Sequence, residues 1–138
     1  MHNIYEDTEP LERTTSMLTD FKSLTADDIL ILMKGMSKKF CSIDPVPTWI
    51  VIECYDQLQS LLTFIINKSL ETGTFPQALK AAVIRPTVKK HDQDKDTLTN
   101  YRPISNLSFL SKTLERAALN QISPYLDDNK LHCPVQSG

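Results

Sequence analysis

Apolar side chains return every three or four residues in three separate stretches of this chain, and between Ala81 and Leu107 they switch to β-type runs. A 3.6-residue period buries one face of a helix, whereas short Val- and Ile-rich runs bounded by turn residues suit strands. The pattern therefore predicts an α+β fold, mostly helical, with three amphipathic helices and a small antiparallel hairpin. With 138 residues, 41% apolar side chains and only 3 Gly, the composition fits one globular domain and excludes disorder along the whole length.

The first helix is signalled at Thr25, followed three residues later by Asp28, a capping-box pair; Asp27 and Asp28 suit the positive end and Lys38 and Lys39 the negative end. Ile29, Leu32, Met33, Met36 and Phe40 then share one face, which predicts a helix of roughly 15 residues. Residues 1–20 are polar and irregular and read as a mobile arm. Asp44-Pro45 and Val46-Pro47 make Cys41 to Pro47 a loop, because the residue before proline avoids helix. Pro47 opens a second helix. Its stripe of Val51, Tyr55, Leu58, Leu62, Ile65 and Ser69, widened by Cys54, Leu61 and Ile66, predicts one long, largely buried helix that stops at Gly73.

Ala81 to Val88 and Tyr101 to Leu107 form the hairpin, and the eleven almost wholly polar residues from Lys89 to Thr99 form its charged tip. Pro86 suits an edge or bulged position. Leu110, Leu114, Ala117, Ala118, Gln121 and Ile122 mark the third helix, which Pro124 should kink or end near Ser123.

Several function classes lack support. The charge-free stretch Gln57 to Asn67 falls far short of the about 20 apolar residues that cross a bilayer, so no membrane partner is expected. The acidic N-terminus has no apolar core of a secretory signal, which implies an intracellular protein of the nucleus or cytoplasm that is not secreted. Cys41, Cys54 and Cys133 then read as free thiols, and with no C-x-x-C pair there is no zinc or disulfide framework. Asp27-Asp28 imitates a polymerase carboxylate pair but opens a helix. Asp92, Asp94 and Asp96 imitate the start of a calcium loop, yet Thr97 and Pro103 stand where that loop needs Gly and Glu. His2, His91 and His132 have no nucleophile in a recognisable arrangement, so neither a catalytic residue nor a metal ligand emerges.

What remains is charge. Residues 1–69 hold 6 Lys and Arg against 10 Asp and Glu, a net of −4, whereas residues 80–102 hold 6 against 3, a net of +3. Arg85, Lys89, Lys90 and Arg102 thus form a cationic hairpin with Tyr101 beside it. Arginine forks and lysine point charges are the groups that grip phosphate, and tyrosine offers a stacking face. A solvated surface loop, with Arg102 paired to Asp92 or Glu115, is the plainer alternative.

The blocks Phe64-Ile-Ile-Asn-Lys-Ser-Leu-Glu-Thr-Gly-Thr-Phe-Pro76, Leu79-Lys-Ala-Ala-Val-Ile-Arg-Pro-Thr-Val-Lys-Lys90 and Asn100-Tyr-Arg-Pro-Ile-Ser-Asn-Leu-Ser-Phe-Leu-Ser-Lys-Thr-Leu-Glu-Arg116, with the closing Gln136-Ser-Gly138, resemble the start of the reverse transcriptase domain of non-LTR (LINE-type) retrotransposons. Cys41 to Thr48 resembles the preceding segment, so the similarity covers roughly residues 20–138. The resemblance implies that residues 21–138 are a partial reverse transcriptase domain of the fingers region. Lys89, Lys90 and Arg102 would face the incoming nucleotide's phosphates or the template, with Tyr101 and Gln136 close to the template. It also implies partners, an RNA template, a DNA primer and a palm domain, and magnesium as the full-length family's metal. The family's catalytic aspartates fall C-terminal to these residues, which implies a chain inactive by itself. Two readings from other classes stand beside this one: a non-enzymatic nucleic-acid- or partner-binding module, and a decayed relic without function.

Overall fold

A computed structural model describes residues 17–131; Gln136, His132, Cys133 and the first sixteen residues lie outside the described part. The elements are α1 (Ala26–Lys34), α2 (Thr48–Glu53), α3 (Tyr55–Thr72), β1 (Ala82–Val88), β2 (Tyr101–Leu107) and α4 (Phe109–Asp128), with 3-10 turns at Gln77–Leu79 and Leu98–Asn100. The class is α+β with a two-stranded antiparallel hairpin, as expected, but about half helical rather than mostly so, and the described residues hold four α-helices rather than three.

The expected capping box opens α1. Asp28 N–H donates to the Thr25 hydroxyl oxygen at 3.1 Å, and the Asp28 carboxylate accepts from Thr25 N–H at 2.9 Å and the Thr25 hydroxyl at 2.7 Å. That hydroxyl, and then the Thr25 N–H, hold the Asp28 carboxyl below its usual range. The helix is shorter than the apolar spacing predicts. Gly35 ends it, because its missing side chain adds nothing to the helix and favours exit. Phe40 is consequently 59% exposed instead of buried on the α1 face, and the last-turn cation is Lys34, not Lys38 or Lys39.

The long second helix is two. Cys54, at φ −91° and ψ 19°, breaks the cylinder between α2 and α3. Ile50, Val51 and Ile52 are β-branched and hold helix weakly. The break also turns Tyr55 inward, where it is buried and its hydroxyl donates to the Ala26 carbonyl at 2.6 Å. Burial pushes that phenol's pKa up. Gly73 is the stop that the sequence signals, in the left-handed conformation at φ 61° that glycine adopts without a Cβ penalty. The helix is less buried than expected: Leu62, Ile66 and Leu70 point inward, whereas Leu61 and Phe64 are 57% and 65% exposed.

The core gathers Ile29 and Met33 of α1, Tyr55, Leu62, Ile66 and Leu70 of α3, and Phe109, Leu114 and Ala117 of α4. Phe21 and Leu24, ahead of α1, pack against it. Two side-chain amides fix that entry segment as a strand partner would. Asn67 pairs with both backbone groups of Leu24 at 2.8 and 2.9 Å, and Gln121 with both of Lys22 at 2.7 and 3.0 Å.

Pro124 does not end α4. The helix runs to Asp128, because a proline costs the bond to the carbonyl four residues back while the preceding and following turns keep theirs. Its exit is a Schellman motif: Leu131 N–H donates to the Leu126 carbonyl at 2.9 Å and Lys130 N–H to that of Asp127 at 3.1 Å, with Lys130 at φ 52° where glycine is usual.

Candidate nucleic-acid interface

The hairpin is positioned from its base. Ser108 caps α4 directly after β2, accepting from Ser111 N–H at 3.2 Å. The buried Ser111 hydroxyl donates to the Leu79 carbonyl, just before β1, at 2.6 Å. Asp44 ties the loop of Cys41 to Pro47 into the same joint. One carboxylate oxygen accepts from Cys41 N–H at 2.9 Å and the other from Phe109 N–H at 2.6 Å, so an anion sits on the positive end of α4. The Cys41 thiol, buried here, donates to the Asn106 carbonyl of β2 at 3.5 Å. Both strands leave the helical core from this joint with most of their side chains exposed.

Register decides which side chains stand together. Arg85 pairs with Ile104, Thr87 with Arg102, and Pro86 with Pro103. Lys89 N–H donates to the Asn100 carbonyl at 2.8 Å, which makes 89–100 a hydrogen-bonded pair. Antiparallel pairs alternate between hydrogen-bonded and non-hydrogen-bonded, so 86–103 is a non-hydrogen-bonded one. Each proline thus places its missing donor on the open edge, where it leaves the ladder intact and denies a further strand a partner.

Side chains alternate across a strand, and directly paired residues share a face. Arg85, Lys89 and Arg102 therefore lie on one face of the ribbon together with Thr87. Tyr101 falls on the other face with Ile84, Val88 and the two prolines. Its hydroxyl donates to the Lys95 carbonyl at 2.9 Å, so the ring braces the tip rather than standing next to Arg102. Lys90 lies past the end of the ladder, in the tip.

The cations are held by their own backbone. The Lys89 ammonium donates to the Thr99 carbonyl at 2.8 Å, and the Arg102 guanidinium donates to the Lys89 carbonyl at 3.2 Å. Arg102 thus pairs with a carbonyl, while the ion pair among the described residues is Lys68–Glu71 at 3.0 Å on α3. Four of the five Arg102 N–H donors remain for a ligand. The tip is ordered around Asp94, whose carboxylate accepts from Asp96 N–H at 3.0 Å and from the Thr97 hydroxyl at 2.8 Å. These bonds, the first being the stronger cause, hold the Asp94 carboxyl below its usual range. Its backbone carbonyl accepts from the Asn100 side chain at 2.8 Å.

Sequence reasoning found the cations and missed Asp44, Asn67, Gln121 and Asp94 as organisers. The signal for Asp94 was present: an Asp two residues before an N–H and three before a Thr is an Asx-turn pattern. Asn67 and Gln121 bond across 43 and 99 residues, a distance at which a single sequence carries no signal.

An open groove of about 750 Å³ lies elsewhere, lined by Phe21, Met36, Leu70, Phe75, Leu119 and Ile122 among others, and no hairpin residue borders it. Among the described residues no group of three or more His, Cys, Asp or Glu could hold a metal ion, and no helix is long and apolar enough to cross a membrane.

No family model and no solved structure matches the chain. Three curated proteins do. The RNA-directed DNA polymerase from mobile element jockey of Drosophila melanogaster is 29% identical over 131 residues, 94% of this chain and 14% of that protein. The probable RNA-directed DNA polymerase from transposon BS of the same species is 29% identical over 136 residues, 92% of this chain and again 14% of the relative. The jockey polymerase of Drosophila funebris is 42% identical over 67 residues, covering 49% of this chain and 7% of its own length. The chain thus spans about one-seventh of the first two relatives. Over nearly all of its length it is similar to a short stretch of RNA-directed DNA polymerases from transposable elements.

Proposed function

We propose that these residues are the fingers part of an RNA-directed DNA polymerase of a non-LTR retrotransposon, and that the cationic hairpin face grips the phosphates of an incoming nucleotide or of the template. The observation that carries the reading is the register: Arg85, Lys89 and Arg102 stand on one exposed face of a two-stranded ribbon, with Lys90 at its tip. The similarity to polymerases of mobile elements supplies the context.

The chemistry of such a face is positional. Guanidinium forks and ammonium groups neutralise phosphate oxygens and orient them without reading bases. Arg102 is pre-set by the Lys89 carbonyl and Lys89 by the Thr99 carbonyl, so less side-chain freedom is lost on binding. Tyr101 reaches the template through its ring only from the opposite face of the ribbon, and Gln136 is assigned near the template by resemblance alone. Magnesium, the metal of the full-length family, finds no donor set among the described residues; the carboxylates for it would come from the palm. RNA template, DNA primer and palm are the partners this reading requires.

A salt series tests it. Four cations neutralise at most about four phosphates, so log affinity for a short single-stranded RNA should fall with log salt at a slope of about −3. Fluorescence anisotropy on the purified chain reads that slope. Tight binding with a flat salt response would remove the phosphate grip and favour a module that recognises its partner by other means.

A further inference from the structure

We propose that Asp94 is a positioning residue of this grip: by folding the hairpin tip around its carboxylate, it holds Lys89 and Arg102 in their gripping arrangement even though its own charge repels the ligand. The role rests on the phosphate reading of the hairpin and adds a residue whose charge alone would argue against any part in anion binding.

The connections run through named bonds. The Asp94 carboxylate takes the Asp96 N–H and the Thr97 hydroxyl, and its carbonyl takes the Asn100 side-chain amide. These contacts shape the turn from Asp94 into the Leu98–Asn100 3-10 segment. That segment presents the Thr99 carbonyl to the Lys89 ammonium and the Asn100 carbonyl to the Lys89 N–H. The Lys89 carbonyl in turn orients Arg102. Tyr101 clamps the far side of the same turn through the Lys95 carbonyl. Asp92 and Asp96 share the tip and its charge, but neither side chain makes these bonds.

Charge and geometry predict opposite signs, which makes the role separable. Removing one carboxylate within a Debye length of a phosphate relieves repulsion and should tighten RNA binding about twofold at about 50 mM salt. Asp92→Ala reports that effect alone. Asp94→Ala removes the same charge together with the turn. If one phosphate contact is lost with it, worth about eightfold at that salt, the net result is binding about fourfold weaker and a salt slope shallower by about 0.7. Asp94→Asn keeps an oxygen for the Asp96 N–H and should bind about as tightly as Asp92→Ala, the rescue that a positioning role requires.

The experiment measures RNA anisotropy for the parent, these three variants and Lys89→Ala, together with ¹⁵N relaxation of the Lys89 and Asp96 amides. The expected result is a loosened tip and weaker RNA binding in Asp94→Ala alone among the Asp variants. An unchanged tip in Asp94→Ala overturns the ordering role. A loosened tip with RNA binding as tight as in Asp92→Ala overturns the link to the grip, while a weakened Lys89→Ala keeps the grip itself. If Lys89→Ala binds as the parent does, the phosphate reading falls and this proposal falls with it.

Discussion

Single residues decide how the hairpin is anchored, and Asp44 is the clearest case. Its two carboxylate oxygens satisfy one N–H in its own loop and one at the start of α4, two elements 65 residues apart. Asp44→Ala leaves both donors without that partner, and a lost half-buried, charge-assisted bond costs about 1–3 kcal/mol. The urea midpoint should fall accordingly, with Asp44→Asn intermediate because it keeps one acceptor oxygen. An unchanged midpoint for the Ala variant would mean that water replaces the carboxylate at no cost. The sequence showed Asp44 only as half of an Asp-Pro loop signal, since a capping group supplied from a distant loop has no local pattern to read.

At the scale of elements, local chemistry was legible wherever it was strong. Thr25 with Asp28 opened α1 and Gly73 closed α3, because a capping box and a left-handed glycine are short-range devices. The strands agree with expectation to within a residue, since Val, Ile and Tyr runs flank an almost wholly polar tip. Boundaries decided by competition were not legible. Periodicity continues through Gly35 and Cys54, so it concealed the end of α1 and the break before α3, while Pro124 suggested an end that the retained hydrogen bonds of the neighbouring turns override. Pro124→Ala restores a helical N–H, and relieving an interior proline should raise stability by about 2 kcal/mol in chemical denaturation. No gain would show that α4 has already adapted to the ring at that point. The tip makes a different prediction. The Asp94 carboxyl titrates below its unfolded value, so its contribution is present at pH above about 4 and is lost as pH falls through the lowered folded-state pKa. Amide shifts of Asp96 and Thr97 should change in that acid window; tip shifts that stay constant down to the global acid transition would contradict it.

For the whole molecule, the apolar surface matters as much as the charged one. Leu61 and Phe64 project from one side of α3, Trp49 is 56% exposed on α2, and Ile31 is 69% exposed on α1. Together with the open apolar groove, these faces suit a chain that packs against further protein, as a fingers part would against a palm. The isolated 138 residues should therefore bind a hydrophobic dye and associate at micromolar concentration. A monodisperse monomer that melts cooperatively and ignores the dye would show that these faces need no cover.

The cationic face is the claim on which the functional account turns, and the salt dependence of RNA binding in a Lys89→Ala, Lys90→Ala double variant tests it most directly. Each lost contact on a single strand removes about 0.7 from the slope, so the double variant should respond to salt less steeply than the parent by about 1.4, with every RNA sequence weakened alike. An identical slope and affinity in the parent and the double variant would contradict the account.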